Sequence, residues 1–364
     1  MGFSSVGSTA FANLIETATL LHDGRVLLCG GQAPAQELYD PAIGAFLPTG
    51  QGRQVYHPLA GSGMFHLDYD HTATLLSDGR VLLAGGNGGQ GTKDAQIYDP
   101  ETGFFDIAQK LLWPRARHSA TLLPSGEVLI VGGQGPMFAA DDRDDAERFD
   151  PKSGTFSLVG AHLAEGRSLH TATLLLDGHV LIVGGCDHHG NALASAELFE
   201  SGTGRRSPYV SGRTQTDGRF RPTGSMSTAR LRHTATPLND GRILITGGLA
   251  EDWDYRVGGD PIALASAELY DPPTGSFSPT ESMTAARCGH TATLLQDGRV
   301  LIAGGFDSTD AALASAELYD PATGAFSPTE PMLAPRAKPT ATSLKDGRVF
   351  IAGGRPASAE LYQP

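Results

Sequence analysis

Short apolar runs recur along the chain with a period of about 50 residues. In the clearest repeat, residues 291–295 form an apolar and β-branched run that predicts a strand. Asp297-Gly298 then predicts a hairpin turn, because glycine adopts positive φ without steric cost. Residues 299–303 form a second apolar run, which is typical of a strand buried on both faces.

The second half of the repeat predicts two further strands. Gly304-Gly305 ends the second strand and indicates a close backbone approach or a sharp exit. Residues 314–321 predict a third strand closed by a proline, and Phe326 lies in a fourth. Four antiparallel strands joined by tight turns make one propeller blade.

The number of glycine pairs gives the number of repeats. The pair occurs seven times, at Gly30-Gly31, Gly85-Gly86, Gly132-Gly133, Gly184-Gly185, Gly247-Gly248, Gly304-Gly305 and Gly353-Gly354. The seventh repeat stops before its fourth strand, and residues 1–8 resemble the missing piece. We therefore predict an all-β fold: residues 1–364 form one seven-bladed propeller, and the N-terminal strand joins the last blade.

The repeat resembles the kelch family over nearly the whole chain. The resemblance rests on the glycine pair, the Tyr-Asp-Pro element and the Arg-x-x-His sequence before the first strand. Many kelch repeats carry tryptophan in the fourth strand, where this chain has phenylalanine, and we predict inter-blade packing for these rings. The resemblance implies the fold, whereas kelch propellers include both enzymes and interaction modules.

A histidine opens the first strand of blades two to six. Since first strands are innermost in a propeller, these residues are expected to form a ring near the axis. Imidazole is a preferred ligand of zinc, and a catalytic zinc needs three protein ligands. The predicted metal ligands are His71, His118, His170, His233 and His290. The alternative is that each histidine ties one blade to the next through hydrogen bonds.

An arginine lies three positions before most of these strand openings. The five guanidiniums predict a rim that binds carboxylates of a ligand, or else ion pairs with residues such as Glu197 and Glu317. The residues are Arg115, Arg167, Arg230, Arg287 and Arg336.

Long connections on the same face are expected to bind substrate. The segment between blades one and two contains Tyr69, and the blade-five loop contains Trp253 and Tyr255. Aromatic rings with polar ends are typical of recognition surfaces.

These features favour a metal-dependent hydrolase, with zinc as the expected cofactor. The predicted substrate is a peptide-like or amide-containing small molecule at the axial mouth. Zinc would lower the pKa of a bound water, and Glu16, which opens the first strand of blade one, would act as the catalytic base.

The main alternative is a non-catalytic binding module. Resemblance to kelch adaptors implies recognition of an acidic peptide or protein through arginines at the mouth. A sugar epimerase or a lyase with histidine and tyrosine fits less well. Copper oxidases resembling galactose oxidase use a cysteine cross-linked to tyrosine, and no matching motif can be assigned to the three cysteines.

Charge and composition limit the classes of partner that the protein is expected to bind. The net charge of −13 argues against nucleic acid or an anionic membrane. No apolar run reaches membrane length, and residues 1–20 lack the pattern of a secretion signal. Three cysteines in different blades argue against a disulfide framework. We expect a cytoplasmic monomer, or a secreted protein if the chain is a mature fragment.

Overall fold

The fold is that of a seven-bladed β-propeller, as predicted. The computed structural model describes residues 1–9, 15–30, 36–49, 70–86, 91–135, 142–202, 218–251, 262–354 and 356–364. These residues form 28 strands in seven four-stranded antiparallel sheets, and they contain no helix. Accordingly, no helix in this part of the chain is long and apolar enough to span a membrane.

Each blade takes its four strands in chain order. Blade one contains β2 (Thr17–Leu20), β3 (Val26–Cys29), β4 (Glu37–Asp40) and β5 (Ala45–Pro48). Blade two contains β6 (Thr72–Leu75), β7 (Val81–Ala84), β8 (Ala95–Asp99) and β9 (Phe104–Ile107). Blade three contains β10 (Ser119–Leu122), β11 (Val128–Val131), β12 (Ala146–Asp150) and β13 (Thr155–Leu158).

The next three blades repeat the order. Blade four contains β14 (Thr171–Leu174), β15 (Val180–Val183), β16 (Ala196–Ser201) and β17 (Gly218–Pro222). Blade five contains β18 (Thr234–Pro237), β19 (Ile243–Thr246), β20 (Ala267–Asp271) and β21 (Ser276–Pro279). Blade six contains β22 (Thr291–Leu294), β23 (Val300–Ala303), β24 (Ala316–Asp320) and β25 (Ala325–Pro328).

Blade seven joins the two ends of the chain. It contains β26 (Pro339–Ser343), β27 (Val349–Gly353) and β28 (Ser358–Gln363), and its fourth strand is β1 (Gly2–Ser8). The β1 strand pairs antiparallel with β28, with Phe3 opposite Tyr362. The predicted closure by the N-terminal strand is therefore confirmed.

The hydrophobic core lies between neighbouring blades. The second strands are buried almost throughout, and Leu244 of blade five packs in one cluster with Ile302 and Tyr319 of blade six. The fourth-strand phenylalanines lie against the third-strand ring of their own blade, at 4.8 Å between centroids for Tyr270 and Phe277. Phe156 of blade three also joins a cluster with Leu82 of blade two, which confirms the predicted inter-blade packing.

The glycine pair is required by a close backbone approach. Gly247 has a φ of 58°, and a Cβ there would lie 2.4 Å from the carbonyl oxygen of Arg287 in the next blade. A side chain therefore cannot be accommodated at this position. No disulfide links the three cysteines, each of which is buried.

Candidate functional site

The histidines form a belt of inter-blade hydrogen bonds. In each case Nε2 lies near a hydroxyl on the first strand of the preceding blade, for example 3.0 Å from Thr72 Oγ1 for His118 and 2.8 Å from Ser119 Oγ for His170. The same arrangement joins His71 to Thr17, His233 to Thr171, and His290 to Thr234 and Thr246. The histidines thus tie neighbouring blades together, as the alternative interpretation expected.

Burial keeps these imidazoles neutral. It lowers the pKa of His170 and His233 to about 3, and the adjacent Arg167 or Arg230 charge adds to the effect. The pKa of His118 and of His290 is held well below the usual range for the same reasons. Protonation would place a charge in the inter-blade core, next to a guanidinium.

The belt does not fit a shared zinc ion. In a zinc site the imidazole nitrogens converge on one point, whereas here each Nε2 is directed to a different neighbouring blade. Within the described residues, no three His, Cys, Asp or Glu side chains lie close enough together to hold a metal ion. The zinc site predicted from the histidines therefore gains no support from their geometry.

The repeated arginines form a second buried belt. Each is fully buried and bonds both to the first glycine of its own blade's glycine pair and to a glutamate of the third strand. Arg287 Nη1 donates to the Gly304 carbonyl at 2.9 Å, and its Nη2 donates to Glu317 at 2.9 Å. The equivalent pairs are Arg115–Glu147, Arg167–Glu197, Arg230–Glu268 and Arg336–Glu360.

The glutamates also hold the connection that enters the blade. Glu317 accepts hydrogen bonds from the amides of Thr284 and Ala285. These contacts pair the two charged groups inside the protein, while Nε of Arg287 has no acceptor among the described residues. A ligand at the mouth would not reach these five arginines, so the structure assigns them to the architecture of the repeat.

The residues that border the axis stand one position earlier than the histidines. We call them the axial ring, and they are Ile15, Asp70, Arg117, Leu169, Arg232, Gly289 and Lys338. Asp70, Arg117, Leu169, Arg232, Gly289 and Lys338 all have a positive φ, between 48° and 71°. The first strands that follow them contact one another around the whole propeller. This places the ring at the mouth of the axial shaft.

Backbone hydrogen bonds connect the ring from blade two to blade six. The amide of each residue donates to the carbonyl of the residue one blade earlier, from Arg117 to Asp70 at 3.1 Å and from Gly289 to Arg232 at 3.0 Å. In the described chain, no such bond joins the amide of Lys338 to the carbonyl of Gly289. Among the described residues, these backbone bonds therefore end at blade six, and Lys338 of blade seven lies in the open part of the ring.

Blades one and two supply the acidic side of the ring. Arg117 Nε donates to Asp70 at 3.0 Å, and Glu16 accepts the amide proton of Asp70 at 2.6 Å. Burial alone would raise the pKa of Asp70, but the charges of Lys338 and Arg117 hold it below its usual value. Glu16, the predicted catalytic base, thus lies near the axis, 3.7 Å from Nδ1 of His71.

Blades five to seven supply the cationic side. Lys338 makes no side-chain hydrogen bond or ion pair within the described residues. Burial, followed by the charges of Arg232 and Arg117, lowers its pKa, and Asp70 and Glu16 offset part of that shift. Lys338 is also exposed to solvent, which is consistent with a place at the mouth of the ring.

The predicted aromatic contacts cannot be placed. Tyr69, Trp253 and Tyr255 lie outside the described residues. The axial ring itself was missed by the sequence analysis, although a signal was present. One position of an otherwise regular repeat is aspartate, arginine, leucine, arginine, glycine and lysine in blades two to seven.

Comparison with known proteins supports the family. A kelch motif matches residues 286–333, which correspond to blade six and its flanks. The same unit recurs in a ring of seven four-stranded blades. This chain is a seven-bladed β-propeller that contains a kelch motif in blade six. No curated protein matches the chain by sequence.

Solved structures resemble this propeller in fold. One is a fungal alcohol oxidase of the AA5 family in complex with copper, with a TM-score of 0.74 and 18% identity, over 100% of this chain and 76% of the oxidase. Another is YjhT, with a TM-score of 0.64 and 15% identity, over 89% of this chain and 100% of YjhT. At these identities the likeness concerns the fold alone.

Proposed function

We propose that the propeller is a binding module that recognises an acidic peptide segment at its axial mouth. Lys338 carries the proposal, because it is a cation at the open part of the ring with no anion bonded to its side chain. Arg232 and Arg117 lower its pKa through their charges, so an incoming carboxylate would relieve like-charge repulsion.

The charge balance of the mouth supports the same conclusion. Arg117 bonds Asp70, whereas the side chain of Lys338 bonds no carboxylate among the described residues. The chain as a whole carries −13, and a cation without a bonded anion therefore stands out. Such a site favours an anionic partner and guides it during encounter.

The metal-dependent hydrolase remains a prediction from sequence. Its five proposed ligands serve as inter-blade contacts in the described residues, so the geometry supports the binding module better. Zinc is not required for the binding proposed here.

Fluorescence anisotropy with a labelled tetraglutamate peptide tests the proposal. We expect binding that weakens as salt increases, and about tenfold weaker binding for Lys338→Met and Arg232→Gln, since each removes one charged contact. A labelled tetraglutamine peptide is the matched neutral probe. Arg299→Gln changes a partly exposed arginine beside the Asp297-Gly298 turn and should leave binding unchanged.

Two results would contradict the proposal. One is equal affinity for the tetraglutamate and tetraglutamine peptides. The other is unchanged tetraglutamate affinity in Lys338→Met when its unfolding temperature equals that of the wild type.

A further inference from the structure

One exposed tryptophan lies at the seam between blades two and three. Trp113 belongs to the connection from β9 to β10, and its amide donates to Glu147 at 3.2 Å. In the connection into blade six, the amide of Ala285 makes the same bond to Glu317 at 3.2 Å. The repeat therefore accepts an alanine where this seam carries an indole, and the indole is not needed to hold the connection. Trp113 is 44% exposed.

Two cations lie beside the indole ring. Cζ of Arg143 is 4.9 Å from the ring centroid, and Nζ of Lys93 is 5.6 Å from it. Asp145 holds the guanidinium of Arg143 in place through hydrogen bonds of 2.8 Å from Nε and 2.5 Å from Nη2. Lys93 is exposed, and its side chain makes no hydrogen bond or ion pair within the described residues. The ring thus has one fixed cation and one cation without a bonded anion beside it.

Both cations depart from the repeat, as the tryptophan does. The carbonyl of Lys93 accepts the amide proton of Leu111, and the same bond in blade five ends at the carbonyl of Ala265. In blades four, five and six the position of Lys93 is alanine and that of Arg143 is leucine, at Ala194, Ala265, Ala314, Leu193, Leu264 and Leu313. Three departures therefore meet at one seam. The axial ring shows the same signal, because it also varies where the rest of the repeat is regular.

The chemistry of this seam favours a ligand with an anion beside an aromatic group. An indole binds planar apolar groups by stacking or by edge-to-face contact, and the neighbouring Leu112 is also 38% exposed. Lys93 favours a carboxylate, because no anion in the described chain bonds its charge. Asp94, the next residue in sequence, pairs instead with Lys110 at 3.1 Å. The charges of Lys93 and Arg143 disfavour a cationic ligand.

The seam lies close to the axial ring. Trp113 and Arg117 belong to one connection and are four residues apart. A chain extends by at most about 3.6 Å per residue, so the Cα atoms of these two residues are no more than about 14 Å apart. An extended peptide of roughly five residues spans the same distance. One peptide can therefore contact the mouth and the indole together.

We propose that Trp113, Lys93 and Arg143 form a second subsite for the peptide that the axial mouth binds. The subsite accepts an aromatic side chain on the indole and a neighbouring acidic side chain on Lys93. This inference rests on the proposed function, because it takes the occupant of the mouth as its ligand. It adds a requirement on that ligand: the acidic segment contains an aromatic residue beside an acidic one.

Fluorescence anisotropy with extended tetraglutamate peptides tests the subsite. The labelled peptides carry a Phe-Glu or an Ala-Glu pair, joined to either end of the tetraglutamate by a tetraglycine linker that spans up to about 14 Å. We expect the Phe-Glu peptide to bind at least about fivefold more tightly than the Ala-Glu peptide in one of the two orders. The gain comes from the aromatic contact and from the linkage to the mouth.

Two variants assign the gain in affinity to the seam. Trp113→Ala should abolish the advantage of phenylalanine, and it should fold normally since Ala285 occupies the same place in blade six. Lys93→Ala should weaken binding of the Phe-Glu peptide about threefold, because it removes one exposed charged contact. Leu176→Ala is the matched control. It removes a 91% exposed apolar side chain from the turn between β14 and β15 and should leave the affinities unchanged.

Tryptophan fluorescence measures the subsite without the mouth. Titration with N-acetyl-Phe-Glu amide should change the emission of the wild type and leave that of Trp113→Ala unchanged. N-acetyl-Ala-Glu amide is the matched probe and should give a smaller response.

Three results would overturn the subsite. They are equal affinities for the Phe-Glu and Ala-Glu peptides in both orders, an advantage that persists in Trp113→Ala with an unchanged unfolding temperature, and equal fluorescence responses to the two dipeptides. None of them contradicts the proposed function, which fails when tetraglutamate and tetraglutamine peptides bind equally. In that case the dipeptide titration still decides whether the subsite exists.

Discussion

Arg230 and Arg232 are two residues apart in blade five and have opposite environments. Arg230 is fully buried and bonds the Gly247 carbonyl and Glu268. Arg232 belongs to the axial ring and contributes to the cationic side of the mouth. The same side-chain chemistry therefore supports the architecture at one position and, in the proposed function, would bind a ligand at the other.

The difference shows how a repeat separates structure from function. The position of Arg230 is arginine in five blades, and it repeats because each blade needs the same contact with its glycine pair. The position of Arg232 changes from blade to blade, because the backbone there contributes only main-chain bonds to the ring. The repeat therefore does not fix the side chain at this position. Three predictions test this contrast, in order of decreasing effect.

The largest effect is expected for Arg230→Leu. The substitution leaves Glu268 buried with its carboxylate bonded only to the amides of Ser227 and Thr228. An uncompensated buried charge should lower the free energy of unfolding by about 3–5 kcal/mol, measured by urea denaturation.

Arg232→Leu is the matched control for this measurement. It should change the free energy of unfolding by less than about 1 kcal/mol, because other blades carry leucine, glycine or lysine at the position of Arg232. Equal losses for the two variants would contradict the division between a structural belt and a ligand-facing ring.

A second comparison concerns two buried carboxyl groups, those of Asp142 and Glu268. It is 8% exposed and accepts a hydrogen bond from Ser168 Oγ at 3.2 Å, whereas Glu268 bonds a guanidinium. Burial raises the pKa of Asp142 to about 7. The folded state therefore keeps this proton up to neutral pH, while the unfolded chain loses it above about pH 4. The contribution of Asp142 to stability is lost between these two pH values.

Asp142→Asn removes this pH dependence. We expect the variant to match the wild type near pH 4 and to exceed its free energy of unfolding by about 2–4 kcal/mol at pH 8. Denaturation at both pH values measures the difference. A variant that is less stable at pH 8 would show that the carboxylate is compensated in the folded state.

The smallest effect per residue on the free energy of unfolding is expected for the histidines that tie neighbouring blades together. Burial lowers the pKa of His170 to about 3, so the folded state excludes a proton that the unfolded chain binds below about pH 6.5. Its stabilising contribution is complete above pH 6.5 and is lost as the pH falls. The wild type should lose about 1.4 kcal/mol per pH unit for each buried histidine between pH 6 and 4.5.

His170→Asn should make this slope shallower by one histidine. His162, which is exposed, supplies the control, and His162→Gln should leave the slope unchanged. Denaturation at several pH values in this interval measures both variants. An unchanged slope in His170→Asn would mean that His170 titrates normally in the folded protein.

The architecture could be predicted from the chain because it follows from local rules repeated seven times. Asp297-Gly298 favours a turn, and the apolar run after it favours a buried strand. Gly304 adopts a positive φ of 67°, which glycine allows. The closing strand could also be predicted, because residues 1–8 match the missing part of the last repeat. These features depend on sequence periods and on backbone conformation, which are local properties.

The direction in which each side chain points was decided by tertiary packing. The repeat places His118 at the start of an innermost strand, close to the axis. Its ring nevertheless turns toward Thr72 of the neighbouring blade, because that hydroxyl and the space beside Gly85 lie there. The residue before it, Arg117, has a positive φ of 57°, and its Nε donates to Asp70 of the preceding blade at 3.0 Å. Neither direction is encoded by a periodic pattern. Both arise where blades meet, since the neighbouring blade supplies the partner that makes one orientation lower in free energy.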